Sequence, residues 1–436
     1  MIILRLFIFI MRNKNSDTIK QERTLLIIAS IILFLGWLVI SLSQGKIQAP
    51  VTIAVSGLIV TWFLVHFIIR YLLKLYGDPL LLPLGIFLSA IGLTMILRLK
   101  PDLFIMQVLW QAIGLLGFVI FSFVFRQAEP LAKYKYTSGM IGIGLLLATI
   151  LFGTDIGGNK NWIILGPVMF QPAEFAKLFV IIFLAAYLSE RRQLLSYATR
   201  HYGPFILPHP RFIAPLIALW GLAMLMLVTQ RDLGSALLFF GTTIIMTYIA
   251  SGRLLYIVLA AILFIIGSFA CYKLYPHVQV RIDIWLNPWV DPTGRAYQIV
   301  QSLFALGSGN VLGSGLTYGF PQFIPAVHTD FIFAAIAEEL GFAGSSAVIL
   351  AYIFMVYRGF KIASLARTPY TIILASGLSV LLAMQVFIII AGVTKFLPLT
   401  GITLPLISYG GSSTVSSFIL LGMLFALSEV RPDYAQ

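Results

Sequence analysis

The chain has 436 residues, of which 60% are hydrophobic and only 10% are charged, whereas soluble domains carry about 25% charged residues. This composition excludes a soluble globular protein. Apolar runs of roughly 20 residues, each long enough to cross a bilayer, recur between Thr24 and Ala426. Transmembrane β-barrels instead alternate apolar and polar positions in segments of about 10 residues. The sequence therefore predicts an all-α, polytopic integral membrane protein.

The formal net charge of +13 suggests nucleic-acid binding in a soluble protein, but in a membrane protein it first indicates topology. About twelve predicted helices place both termini on one side, together with about two thirds of the 29 Lys and Arg residues. Because Lys-rich and Arg-rich loops stay in the cytoplasm, we expect cytoplasmic termini and no nucleic-acid partner. The predicted helices lie near residues 24–43, 52–70, 79–98, 106–125, 136–154, 172–189, 211–229, 232–251, 253–272, 331–357, 369–391 and 411–429.

Two segments on the opposite side are longer than a connection between helices requires. Residues 155–171 form the first, and residues 273–330 form the second, which is rich in Gly, Pro and aromatic residues. Both are predicted to be extracytoplasmic loops, flanked at the chain ends by cytoplasmic tails at residues 1–23 and 431–436. Long loops carried by a rigid scaffold often hold functional residues, so we expect the chemistry at residues 273–330.

Two charged residues, Glu174 and Lys177, stand three positions apart at the start of a helix introduced by Gln171 and Pro172. They share one helix face and are able to pair. One interpretation is a structural ion pair, favoured by the carboxylate near the positive end of the helix dipole. The other is a substrate groove or catalytic support, because ionisable residues in the membrane are costly and often functional.

Further carboxylates lie in and after the long segment. Asp291 stands between Pro288 and Pro292, where an acid serves either as a turn residue that bonds the backbone or as a general base. His328 and Asp330 precede an apolar helix. His328 is either a satisfied interfacial side chain or a site residue, and Asp330 is either a helix cap or a site residue. The same helix carries Glu338 and Glu339. No zinc-ligand spacing is present, and Cys271, the single cysteine, excludes an internal disulfide.

Small residues interrupt the last apolar region between Gly401 and Ser413. Pro405, Gly410 and Gly411 are expected to break the backbone where protein covers it or where it lines a cavity.

Five motifs in this order resemble those of the shape, elongation, division and sporulation (SEDS) family, over roughly residues 79–430. They are Gln171 to Lys177, Asp232 to Ala236, Asn287 to Gln301, His328 to Gly341, and Pro405 to Ser413.

The family usually has ten transmembrane helices, so residues 24–76 are interpreted as two additional helices and residues 77–430 as the SEDS-like core. Asn161 departs from the pattern, because many members have Arg at this position. If the family's function requires a cation at this position, the neighbouring Lys160 would supply it.

The resemblance implies a peptidoglycan glycosyltransferase that polymerises lipid II at the outer face of the bacterial cytoplasmic membrane. It also implies a class B penicillin-binding transpeptidase as partner, and membrane lipids surround the chain. Asp291 falls on the family's catalytic carboxylate, and we interpret it as the base of an inverting transfer. A divalent cation at the diphosphate is left open, with no ligands assigned. The candidate substrate-binding or supporting residues are Glu174, Lys177, Arg281, Arg295, Gln298, His328, Asp330, Glu338, Glu339, Ser408 and Ser412.

Two other functions compete with this interpretation. One is a flippase for the lipid-linked precursor, and the other is a scaffold that positions the transpeptidase without catalysing a reaction. A long outward loop with a lone carboxylate favours the enzyme, since transporters place their polar site near the membrane midplane between repeats. The motifs do not distinguish elongation, division and sporulation.

Overall fold

Long apolar helices dominate the computed structural model of the chain, which describes residues 2–156, 159–166, 168–197, 199–202, 205–208, 221, 224–225 and 228–429. Ten helices in this part are long and apolar enough to cross a membrane. A further apolar helix at the C-terminal end is shorter. The predicted helix near residues 211–229 lies largely outside the described residues, as does the tail at 431–436. The all-α polytopic class is confirmed.

The helices are numbered here in chain order. They are α1 (Ile2–Ser43), α2 (Ala49–Phe67), α3 (Leu81–Leu99), α4 (Pro101–Val124), α5 (Lys135–Phe152), α6 (Pro172–Tyr197), α7 (Leu233–Ser251), α8 (Leu255–Leu274), α9 (Pro276–Leu286), α10 (Tyr297–Ser308), α11 (Ile332–Leu365), α12 (Pro369–Val393) and α13 (Gly411–Leu427). A π-helical turn, Ile68–Leu72, continues α2. The 3₁₀ turns are Phe125–Gln127, Glu129–Tyr134, Pro288–Val290 and Pro321–Phe323.

Five short strands accompany the helices. β1 (Thr154–Ile156), β2 (Asn159–Leu165) and β3 (Val168–Phe170) form an antiparallel sheet in the order β1-β2-β3. The pair β4 (Thr199–Tyr202) and β5 (Phe205–Pro208) forms a second antiparallel sheet. The predicted loop at 155–171 is thus a small sheet, because Gly166, at a φ of 62°, turns the chain so that Leu165 pairs with Val168.

The structure adds detail to three other expectations. The predicted tail at 1–23 is helical, because α1 begins at Ile2 and runs without interruption through the first predicted span. The segment 273–330 is not a plain loop, since it contains α9 and α10. The helix predicted to end near residue 357 continues to Leu365.

The most buried helix is α13, in which every side chain from Gly411 to Ala426 is buried. It packs closely against α4 because glycines stand where larger residues would collide. A Cβ at Gly422 would lie 2.6 Å from the carbonyl oxygen of Phe118, and one at Gly114 would lie 2.7 Å from the ring of Phe418. Close approach through small residues is the usual means of helix packing in membranes.

The helix α11 is broken at Gly341, where the backbone reaches a φ of 68°. Residues 310–315 fill the break and bond to its free backbone groups. The N–H of Phe342 donates to the carbonyl of Asn310 at 2.9 Å, and the N–H of Ser314 donates to the carbonyl of Glu338 at 2.9 Å. This contact anchors the second half of segment 273–330 to a membrane helix. We call the end of the bundle that carries this segment the site end.

At the opposite end, a buried charge network attaches the two additional helices to the core. Glu22 of α1 accepts from the Nε of Arg70 at 2.6 Å, and the Nδ1 of His66 lies 3.2 Å from the same carboxylate. The π-helical turn brings Arg70 to the carbonyl of Leu75, at 2.8 Å, and the guanidinium lies 5.0 Å from the ring centre of Phe425 in α13.

This network predicts that Glu22→Gln destabilises the protein. The substitution leaves the charge of Arg70 buried and unpaired, which typically costs about 3–5 kcal/mol. Glu129→Gln is the matched control, because Glu129 is exposed. Thermal unfolding of both purified variants in one detergent measures the difference. Equal melting temperatures for the two variants would contradict the structural role of the network.

Candidate active site at one end of the bundle

The turn that contains Asp291 is defined by local hydrogen bonds. Asn287 accepts from the N–H of Trp289 at 3.2 Å, and the Asp291 carboxylate accepts from the N–H of Arg295 at 3.0 Å. Gly294 faces the carboxylate so closely that any Cβ at this position would collide with both carboxylate oxygens. The carboxyl group is therefore fixed in orientation by a turn and remains partly exposed.

The same turn leads into α10, whose first residues connect it to the chain before α11. The Nε2 of Gln298 donates to the carbonyl of Pro325 at 2.8 Å. The side chain of Arg295 is exposed beside Asp291. Gln298 thus acts as a support for the segment, whereas Arg295 offers a cation to whatever approaches the Asp291 carboxylate.

The expected pairing of Glu174 with Lys177 is present, with the ammonium 2.6 Å from the carboxylate. Both residues are buried, at 7% and 4% exposure. Lys177 also donates to the Oε1 of Gln385 in α12 at 2.9 Å, and Glu174 accepts from Ser416 in α13 at 2.8 Å. The pair therefore joins α6 to two other core helices. Gln385 was not among the sequence candidates. The signal that could have indicated it is a single amide side chain within the apolar run of α12.

This polar network extends to the broken segment before α13. Gln385 donates to the carbonyl of Thr403 at 3.1 Å, and the Thr403 hydroxyl donates to Ser413 at 2.7 Å. Ser412 accepts from the N–H of Gln171, the residue that precedes α6, at 2.9 Å. As expected from its Pro and Gly residues, the segment is irregular, and its polar groups are bonded by protein.

A third cluster surrounds Arg281 of α9, which donates to the carbonyls of Thr400 at 3.1 Å and Leu399 at 3.5 Å. Burial lowers the pKa of Arg281, while the charges of Asp232 and Asp330 act in the opposite direction. Burial raises the pKa of Asp330 to about 6, and the Thr329 hydroxyl and Arg281 oppose that shift. The charges of Asp232 and Asp330, from different parts of the chain, therefore both act on Arg281.

Asp232 was not among the sequence candidates, although it belongs to a matched motif. Its carboxylate caps α7 by accepting from the N–H of Ser235 at 3.0 Å and from its hydroxyl at 2.8 Å. The amide of Asn161 lies 3.4 Å from the same carboxylate. Asn161 is thus a neutral donor to the Asp232 carboxylate.

His328 and Ser408 connect the chain before α11 with the segment before α13. The carbonyl of His328 accepts from the N–H of Tyr409 at 2.9 Å, and the Ser408 hydroxyl donates to the carbonyl of Thr329 at 2.5 Å. Burial, followed by the charge of Lys100, lowers the pKa of His328. These contacts hold Asp330 beside the segment that follows α12.

Glu338 and Glu339 stabilise residues 310–320. The Glu338 carboxylate accepts from the N–H of Phe320 at 2.7 Å, and Glu339 accepts from the Nε of Arg98 at 3.2 Å. Arg98 also donates to the carbonyl of Gly319 at 3.2 Å. Arg98 was not among the residues expected at the site. Both acids therefore support the segment that carries the site.

The site-end candidates form several connected clusters. Asp291 is on the partly exposed turn, Glu174 and Lys177 lie in the polar network between the membrane helices, and Asp330 lies at the end of the segment near Arg281. Among the described residues, no group of three or more His, Cys, Asp or Glu side chains is placed to hold a metal ion, so the open question of a divalent cation has no ligand set.

The chain belongs to the cell cycle protein family that comprises FtsW, RodA and SpoVE, whose sequence profile matches residues 79–432. It is thus a multi-pass bacterial membrane protein of the SEDS family, and this expectation from the motifs is confirmed. The two additional helices precede the matched region.

Named relatives and solved structures agree with this assignment. The peptidoglycan glycosyltransferase RodA of Mycobacterium tuberculosis (strain ATCC 25618 / H37Rv) is 37% identical over 425 residues, covering 94% of this chain and 90% of the relative. Stage V sporulation protein E of Bacillus subtilis (strain 168) is 33% identical over 373 residues, covering 82% and 98%.

A chain from a peptidoglycan synthase complex that coordinates polymerisation and crosslinking aligns with a TM-score of 0.66 and 27% identity, covering 82% of this chain and 99% of its own length. The rod shape determining protein RodA of Thermus thermophilus aligns with a TM-score of 0.57 and 25% identity, covering 81% and 96%.

The network around Lys177 predicts strong coupling between Glu174 and Lys177. Lys177→Gln removes the charge that compensates the buried Glu174 carboxylate, so stability should fall by about 3–5 kcal/mol. The double variant Glu174→Gln, Lys177→Gln removes both charges and should be more stable than the sum of the single changes. A double-mutant cycle of thermal unfolding measures this. Additive single effects would mean that the two residues do not stabilise the fold as a pair.

Proposed function

We propose that this protein is a peptidoglycan glycosyltransferase that polymerises lipid II during cell-wall synthesis. The observation that carries the proposal is the fixed, partly exposed carboxylate of Asp291, within a membrane protein of the family to which RodA belongs. The glycosyltransferase names of the relatives support the reaction class.

In the proposed reaction, Asp291 accepts the proton of the attacking sugar hydroxyl. The hydroxyl oxygen forms a bond to the anomeric carbon of the donor, and the bond from that carbon to the diphosphate breaks on the opposite face. The electron pair leaves with the diphosphate, and the configuration of the anomeric carbon inverts. A base held in one orientation avoids the entropic cost of positioning it during the reaction.

Arg295 is the best candidate to face the diphosphate, because its side chain is exposed in the same turn as Asp291. A guanidinium binds phosphate oxygens through paired donors. The other two candidate cations have partners within the protein. Lys177 is bonded to Glu174 and Gln385, and Arg281 is bonded to two carbonyls. These two are assigned to positioning the helices and segments around the site.

The same contacts support an enzyme over a lipid flippase. A transporter needs polar groups near the midplane that exchange partners as the path opens. The polar groups of Glu174 and Lys177 are instead bonded to side chains of three different helices. This arrangement favours a fixed scaffold beneath an exposed reactive turn.

The proposed topology places both termini in the cytoplasm and the site end outside, because lipid II is polymerised at the outer face. Within this topology, we assign residues 24–76 to two additional membrane helices and residues 77–430 to the catalytic core. The peptidoglycan synthase complex among the structural relatives supports a penicillin-binding transpeptidase of class B as partner. A non-catalytic scaffold would need the partner but not the Asp291 carboxylate.

The first test is Asp291→Asn, which retains the shape of the side chain but removes its ability to accept a proton. General base catalysis contributes about 10²–10⁴-fold, so polymerisation of purified lipid II should fall by at least that factor. Asp283→Asn is the matched control, because Asp283 is an exposed acid in the same segment whose carboxylate accepts from the Tyr272 hydroxyl at 3.2 Å.

Polymerisation by Asp291→Asn within a few fold of the unmodified protein would refute Asp291 as the base. The next candidate would then be Asp330, which has a pKa of about 6 beside Arg281. Loss of activity in both Asp variants would instead indicate that the segment is generally sensitive to change.

A second test uses Gly294→Ala, which inserts a methyl group against the Asp291 carboxylate without altering the acid. Displacing a catalytic group by about 1 Å costs on the order of 10²-fold in rate, so we expect a loss of that size in kcat. Gly307→Ala is the control, since a Cβ at Gly307 in α10 meets no atom within 4 Å. Equal rates for the two variants would show that catalysis does not depend on the orientation of Asp291.

A further inference from the structure

An apolar groove runs along the contact between α1 and α3 in the half of the bundle nearest the site end. Its walls are Ile32, Leu35, Gly36 and Val39 of α1 and Ile91, Thr94 and Met95 of α3, and Leu316 and Leu340 complete the lining. The volume is about 270 Å³. One wall therefore comes from a helix that precedes the family match at residue 79.

The two helices pack closely beside the groove. A Cβ at Gly36 would lie 2.5 Å from the Thr94 side chain, so the absence of a side chain at this position allows the close approach. Thr94 is the one polar side chain on the walls, and its hydroxyl already donates to the carbonyl of Ala90 at 2.8 Å. Water needs two to four polar partners, which these walls do not offer.

The dimensions favour a slender occupant. A helix is about 10–12 Å wide, so two turns of a partner helix would require on the order of 1,000 Å³. An apolar cavity of about 150 Å³ already holds benzene. The volume of 270 Å³ fits a segment of a hydrocarbon chain lying along the groove.

The charges at the ends of the two wall helices favour an anionic head group. Lys46 follows α1 and Lys100 ends α3, and both side chains are exposed at the site end. Arg98 does not contribute, because it is bonded to Glu339 and to the carbonyl of Gly319. Exposed ammonium groups are suited to bind a phosphate.

We propose that this groove binds one acyl chain of an anionic glycerophospholipid, with the phosphate at Lys46 and Lys100. The bound chain packs against Leu316 and Leu340, directly before the break at Gly341. It thereby supports the wall that carries residues 310–320 and links α1 to the site end. The site is separate from the turn of Asp291 and does not depend on the proposed reaction.

The direct test uses phosphatidylglycerol that carries a photoreactive diazirine in its acyl chain. The unmodified full-length protein is irradiated in nanodiscs with a tenfold excess of phosphatidylcholine, and the labelled peptides are mapped. Labels should concentrate on residues 32–39 and 91–95 and at Leu316 and Leu340. An even distribution over lipid-facing helices would refute the site.

Variants test the two parts of the interaction by native mass spectrometry of the purified protein with phosphatidylglycerol. Ile91→Trp fills the groove and should weaken binding at least tenfold, whereas Ile53→Trp, on an exposed position of α2 outside the groove, should not. The double variant Lys46→Glu, Lys100→Glu should bind phosphatidylglycerol about tenfold more weakly, which corresponds to roughly 1.4 kcal/mol. The control Lys361→Glu, at the opposite end of the bundle, should bind as tightly as the unmodified protein.

Binding of Ile91→Trp with the affinity of Ile53→Trp would overturn the groove as the site. Equal affinity of the unmodified protein for phosphatidylglycerol and phosphatidylcholine would overturn the head-group assignment. Retention of lipid II or of a copurifying helix in place of phosphatidylglycerol would also contradict the proposal. Because these readouts measure binding alone, their failure leaves the Asp291 tests unaffected.

Discussion

The ammonium of Lys177 imposes the constraint on which the site end depends. A buried charge in a membrane protein must be paired and hydrogen-bonded, or the fold loses several kcal/mol. Glu174 supplies the opposite charge from the same helix, and Gln385 supplies an acceptor from α12. Gln385 in turn binds the carbonyl of Thr403, so the broken segment before α13 is positioned by the same charge.

Irregular backbone at membrane depth is tolerated only where protein satisfies its polar groups. The chain meets this requirement in two places. Residues 310–315 bond to the break at Gly341, and the segment before α13 is held by Ser408 and Ser413. The first place joins segment 273–330 to α11, and the second joins the segment before α13 to residues that precede α11. The rigid base they form allows a short turn to present Asp291 without a folded extracytoplasmic domain.

Much of this architecture was predictable because apolar length and turn residues are local signals. The start of α6 after Gln171 and the pairing of Glu174 with Lys177 follow from spacing alone. The role of Gln385 was not predictable, since it depends on the packing of α12 against α6. The helices within 273–330 were missed because their apolar content is too low to stand out beside membrane spans. The resemblance to the SEDS family supplied Asp291, which its turn context left ambiguous.

Polymerisation at the outer face of the membrane requires that the site end faces outward. Gln322 and Gln193 are exposed residues, the first on the turn Pro321–Phe323 and the second near the other end of the bundle in α6. Each is changed to Cys in a Cys271→Ser background, and intact cells are treated with a membrane-impermeant thiol reagent. We predict that the reagent labels position 322 in intact cells and labels position 193 only after the cells are opened. Labelling at 193 with protection at 322 would place Asp291 in the cytoplasm and contradict polymerisation at the outer face.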